Sequence, residues 1–256
     1  QVQPALGHPA HRDVQLVVVP PPLIVDALAI GEVDGFCVGE PWSSVAVAAG
    51  AGQIVALGCR IWQRGVEKVL GVRGDWAEAN AETLSALLRA LDHAAAWAGD
   101  AANRDALAAE LAQAHYLGRP AAMISRVLSG RLQVSATAEI DAPDFLMLYR
   151  DAANFPWVSQ AQWLYSQMLR WGQAHPSAAA GIAVRGVFRP DLYRRALAGS
   201  GTPLPGANAK VEGALAEPLA LGTAAGRLTI GPDRFFDDRR FDPDRLGDYL
   251  QGFSPD

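Results

Sequence analysis

"VVVPPPLIVDALAIGEVDGFCVGEPW", residues 17–42, decides how this chain folds. The apolar, β-branched run of residues 14–19 reads as a strand buried on both faces of a parallel sheet. Pro20, Pro21 and Pro22 cut it off, and proline is tolerated in the first turn of a helix, where its missing N–H is not needed. A helix is therefore expected to follow and to stop at Gly31. "VDGFCV" reads as the next strand and "PWSSVAVAAG" as the next helix, with a further strand in "GQIVAL" and another in "KVLGVR" at 68–73. Such alternation predicts βαβ crossovers, a parallel sheet and an α/β front to the chain.

Further along, Leu84, Leu87, Leu88, Leu91 and Ala95 recur at helical spacing and predict an amphipathic helix over about 81–98, with Asn80 as its N-cap and Gly99 as its stop. Beyond residue 100 helical patterns dominate: "RDALAAELAQAHY", "PAAMISRVLS", "APDFLMLYRDAA", "SQAQWLYSQMLRWGQ" and "RPDLYRRALAG". The tail from Gly201 is rich in turns and reads as a wrapping segment that ends in a short helix.

Composition narrows the function. The 256 residues are 50% hydrophobic with a formal net charge of −5, ample for a buried core and without the concentrated basic face that nucleic-acid binding requires. No apolar run reaches the roughly 20 residues of a membrane span, and the start of the chain lacks the pattern of a signal peptide. Cys37 and Cys59 do not form a C-x-x-C pair and are expected to be buried, inert thiols. The five histidines are dispersed, so neither a metal nor a cofactor is expected. No nucleophilic elbow, Walker loop or complete G-x-G-x-x-G is present, so the residues point away from an enzyme. The seven tryptophans are expected chiefly in the core.

Two places could hold a ligand. In open α/β sheets ligands bind beyond the carboxyl ends of strands, where backbone N–H groups face outward at the start of a helix. Val38 and Gly39 lie at that end of the "VDGFCV" run, ahead of Pro41, and a small anion would suit them; a strand-to-helix turn that uses glycine for geometry alone is the other reading. Lys68 is one of only two lysines, the other being Lys210. As a compact charge with three donors it suits a monovalent oxyanion, or else it is a solvated lysine paired with Glu67 or Glu40.

Taken together, "VVVPPPLIVDALAIGEVDGFCVGEPW", "VEKVLGVRGDWAEANAETLSALLRAL", "NFPWVSQAQWLYSQMLRWGQ", "FRPDLYRRAL" and "DDRRFDPDRLGDYLQGF" resemble the nitrate-binding family of ABC-transporter solute-binding proteins, which also contains bicarbonate binders and cytoplasmic nitrate sensors. The resemblance implies a type II periplasmic-binding-protein fold of two α/β lobes, with the N-terminal portion missing and a helix-rich C-terminal half. Residues 1–40 would be the last strands of the second lobe and the crossover, and 41–256 the remainder. It also implies that Val38 and Gly39 give main-chain contacts, and Lys68 a charged hydrogen bond, to nitrate or nitrite. Bicarbonate is disfavoured, because relatives that bind it tend to recruit a metal ion near this position. The implied partner is an ABC permease outside the cytoplasm or, for a sensor, an RNA-binding antitermination regulator inside it.

Overall fold

The computed structural model describes residues 14–253. The chain forms two compact units, each assembled from two stretches. Unit 1 takes the described residues up to Gly58 together with Trp97–Met147, and unit 2 takes Cys59–Ala96 together with Leu148 onward.

In unit 1, the prolines open a 3-10 turn, Pro21–Leu23, that leads into α1, Ile24–Ala29. Gly31, at φ +74°, ends it in the left-handed conformation that glycine adopts without a Cβ penalty. Helix α2, Trp42–Ala48, follows. Ile24, Val25 and Ala27 of α1 pack with Val33 and with Ala46 of α2 into one buried cluster. Helices α6, Arg104–Leu111, and α7, Ala121–Leu128, pack on each other, and the Ser125 hydroxyl donates to Asp105 at 2.8 Å between them. A small antiparallel hairpin completes the unit, β1, Arg131–Gln133, and β2, Glu139–Asp141, with Leu132 only 1% exposed.

Unit 2 begins with a short helix, α3, Gly58–Ile61, whose first residue belongs to unit 1, and then α4, Gly74–Ala79. The long α5, Ala81–Gly99, runs through the changeover between the units at its C-terminal end. The remaining helices are α8, Val158–Arg170, α9, Ala178–Val187, α10, Pro190–Ala196, and α11, Leu246–Gln251. Strands β3, Leu219–Thr223, and β4, Gly226–Ile230, form an antiparallel hairpin with Leu221 opposite Leu228. Two cores hold the unit. In one, Phe155, Trp157, Tyr193 and Leu197 surround Leu228 and Ile230 of β4. In the other, Trp62, Trp163, Phe235, Phe241 and Tyr249 stack, with Trp62 and Trp163 ring centroids 4.5 Å apart. The Trp163 indole N–H donates to the Tyr249 hydroxyl at 3.1 Å, which satisfies the polar edge of a buried ring.

Several expectations need correcting. The runs 14–19, 33–38, 52–57 and 68–73 form no strands among the described residues. A strand needs a neighbour for its ladder, and these runs have none here. The segment "APDFLMLYRDAA" is helical only as a 3-10 turn, Arg150–Ala152, interrupted by Asp151 at φ +61°. Asp151 accepts from Arg64 at 2.9 Å, with both side chains largely buried, so a tertiary ion pair overrides the local helical pattern. Asn80 does not cap α5 with its side chain but donates it backward to the Trp76 carbonyl at 2.9 Å. Cys37 is exposed and Cys59 half-buried, because the unpaired run around Cys37 leaves its side chain uncovered. The start of the chain quoted against a signal peptide, residues 1–13, lies outside the described residues.

Candidate anion-binding site

In unit 1 the junction expected to meet an anion is built on a packed base. Val33 is buried in the α1–α2 cluster, and Phe36, Val38 and Trp42 are half-buried against the same cluster. Phe36 and Val38, two apart on an extended run, share a face. Packing therefore fixes the backbone of Val38 while its N–H and that of Gly39 find no acceptor among the described residues. Unpaired N–H groups next to a glycine can approach a small acceptor closely, because no Cβ stands in the way.

The start of α2 is already occupied. Pro41, reached through a cis Glu40–Pro41 bond, is the N-cap, and Trp42 is the first helical residue. The Glu40 carboxylate accepts the Ser44 N–H at 3.2 Å, so the protein's own anion meets the positive end of the helix. Burial raises the Glu40 carboxyl above the ordinary carboxylate range, and the Ser44 hydrogen bonds oppose that rise. The helix terminus is thus not what an external anion would meet. The contacts it could make in this unit come from the main chain of Val38 and Gly39.

Sequence reasoning missed Arg119 at this end of unit 1. Its guanidinium carbon lies 5.0 Å from the centroid of the Trp42 ring, a cation–π arrangement, and its Nε is buried without a hydrogen-bond partner. Gly118, at φ +59°, and Pro120 aim it there, and that flanking pair is the signal that the sequence offered.

Lys68 belongs to unit 2. Its side chain is 81% exposed and its Nζ donates to Glu67 Oε1 at 2.7 Å. An exposed pair of this kind contributes little to stability, and Lys68 packs into neither core of its unit. Among the described residues no group of three His, Cys, Asp or Glu side chains is placed to hold a metal ion. No helix among them is long and apolar enough to cross a membrane.

Residues 3–112 match the model of the NMT1-like family. The similarity extends past that match: to the nitrate/nitrite binding protein NrtA of Synechococcus elongatus the chain is 31% identical over 251 residues, 97% of this chain and 52% of that protein. The chain is also 36% identical over 194 residues to the nitrate import ATP-binding protein NrtC of Synechocystis sp., covering 75% of this chain and 29% of that one. Among solved structures, the crystal structure of the periplasmic nitrate-binding protein NrtA from Synechocystis PCC 6803 matches with a TM-score of 0.84 at 25% identity, over 99% of this chain and 62% of that chain. The helix-rich architecture of the chain is therefore that of a periplasmic binding protein. The chain spans about half the length of the NrtA relative it matches.

Proposed function

We propose that the protein binds nitrate or nitrite and serves as the solute-binding component of an ABC-type import system. The observation that carries this reading is the similarity of nearly the whole chain to NrtA, a protein named for binding nitrate and nitrite. The unpaired N–H groups of Val38 and Gly39, in unit 1, suit a small planar oxyanion; Lys68, in unit 2, suits by its own chemistry a charged hydrogen bond to an oxyanion. In this reading Lys68 exchanges its exposed Glu67 partner for the anion. The permease partner and a location outside the cytoplasm follow from the same reading and from the similarity to the periplasmic nitrate-binding protein NrtA.

A second reading has its own observation. The identity to NrtC, 36% over three quarters of this chain, connects the same module to an import ATP-binding protein. There the module would read the anion on behalf of the transport ATPase and would not deliver it.

Calorimetric titration of the purified protein with nitrate, nitrite and bicarbonate, each with and without a divalent cation, tests the ligand. Saturable binding of nitrate or nitrite that is indifferent to the cation is the expected result. A preference for bicarbonate that depends on the cation would overturn the proposal.

A further inference from the structure

The first described stretch of unit 1 carries carboxylates without a counter-charge. Between residues 14 and 58, Asp26, Glu32, Asp34 and Glu40 are acidic, and no lysine, arginine or histidine is present. Asp34 and Glu40 bracket Val38 and Gly39, so an oxyanion on those two N–H groups meets like charge from its own stretch. Like charges held close repel, and an anion stays beside a half-buried carboxylate only where a cation offsets the repulsion. Within the described part of unit 1, that cation comes from residues 97–147.

The second stretch offers Arg104, Arg119, Arg126 and Arg131. Arg126 and Arg131 both donate to Glu139, and Arg104 opens α6. Arg119 differs on two counts. Its guanidinium lies over the ring of Trp42, and Trp42 and Val38 pack on the same apolar cluster. It also makes no ion pair and no side-chain hydrogen bond among the described residues, although its Nε is buried. A cation–π contact holds the charge in place but gives the N–H donors no oxygen or nitrogen acceptor. A buried donor left unpaired is costly, and this one belongs to a planar fork that matches a planar oxyanion edge to edge. Three residues of chain span at most about 11 Å, so Gly39 and Trp42 belong to one small region.

We infer that Arg119 is a binding residue for a planar, singly charged oxyanion in unit 1, held by Trp42 so that its guanidinium pairs with the anion that the Val38 and Gly39 N–H groups receive. The inference rests on the reading of those two N–H groups as anion contacts. Each part then has one task. Trp42 fixes the position of the guanidinium, Arg119 supplies the charge and a pair of in-plane donors, and the main chain of Val38 and Gly39 supplies the remaining hydrogen bonds.

The test is titration of the protein, of Arg119→Gln and of Arg119→Lys with nitrate, followed by calorimetry and by the arginine Nε–H peaks of proton–nitrogen correlation spectra. The Arg119 peak is the one that both variants lack. In the wild type it is expected to move on titration and to saturate at the calorimetric midpoint, a readout that a merely structural arginine would not give. Arg119→Gln should weaken nitrate binding about ten- to a hundredfold, and Arg119→Lys, which keeps the charge and loses the fork, should fall between it and the wild type. Both variants should keep the far-ultraviolet dichroism of the wild type, because the Arg119 side chain has no hydrogen bond within the described residues to lose. An Arg119 peak that stays in place at saturating nitrate would overturn the inference, as would equal affinity in the wild type and Arg119→Gln. A wild type that binds no oxyanion at all would overturn the underlying reading, and the inference with it.

Discussion

Glu40 accepts the Ser44 N–H at 3.2 Å, so the α2 terminus that faces the candidate site is closed by a carboxylate from the same chain. Burial raises the folded Glu40 carboxyl above its ordinary value. The folded state therefore holds the Glu40 proton to higher pH than the unfolded chain does, and the stability this contributes is full below the unfolded value and lost as pH rises through the folded one. Urea midpoints of the wild type and of Glu40→Gln, taken at about pH 4 and about pH 7, check this. The wild type should lose stability relative to the variant as pH rises, and a constant difference would contradict the assignment.

In unit 2, Lys210 is the one lysine placed between buried carboxylates. Its Nζ donates to both Glu212 and Asp233, each 0% exposed, and the Ser159 hydroxyl donates to Glu212 at 2.6 Å. This joins α8 to two points of the C-terminal segment. Lys210→Met leaves two buried carboxyl groups without their cation and should cost about 3–5 kcal/mol in chemical denaturation. A loss below about 1 kcal/mol would show that the cluster does not hold the segment.

Asp92 is a second buried acid, 3% exposed on α5, and it accepts from the Tyr193 hydroxyl at 3.1 Å and from Thr202 Oγ1 at 3.0 Å. Tyr193→Phe removes one donor from a buried carboxyl and should destabilise by about 1–3 kcal/mol. Thr202→Val should cost less, because Thr202 is only partly buried. Thermal melts of the two variants and of their combination would show the shared acceptor as non-additivity.

Gly130 lies at φ +75°, and a Cβ there would run into the Ala142 carbonyl across the β1–β2 hairpin. Gly130→Ala combines left-handed strain with that collision and should cost about 2 kcal/mol or more, read as a lower urea midpoint. Gly35→Ala, which would meet nothing within 4 Å, is the matched control and should be near neutral.

Helices were legible in this sequence where their signals are local. Proline before Leu23, Gly31 after α1, the leucine stripe of α5 and the pattern "SQAQWLYSQMLR" each state their own boundaries, and the structure follows them. The stripe was only half right about burial: Leu84 is buried and Leu88 packs on a core, whereas Leu87 and Leu91 are 37% and 44% exposed. Strand composition was equally plain in residues 14–19, but composition does not provide a neighbour, and without one the run forms no ladder. The β3–β4 hairpin went unread because Ala220, Gly222 and Gly226 blunt the alternation that marks a strand. In "DRFFDDRR", residues 233–240, Phe235 is 2% exposed in a core and Phe236 is 40% exposed.

The candidate site was legible only as far as single residues. Val38 and Gly39 could be marked from the strand-to-helix junction, and Lys68 from its rarity. The Arg119–Trp42 contact depends on how α2 meets a segment about 75 residues later in the chain, which no local pattern encodes, whereas the Glu40–Ser44 hydrogen bond spans only four residues.

The central claim, that a small oxyanion is held with Lys68 as its charged partner, is tested most directly by nitrate titration of the wild type and of Lys68→Ala side by side. Lys68 is 81% exposed and joined only to Glu67, so its removal should leave folding unchanged. Loss of a charge-assisted hydrogen bond worth roughly 1.5–3 kcal/mol should weaken nitrate binding about ten- to a hundredfold. Equal affinity in the two proteins would contradict the account and take Lys68 out of the site.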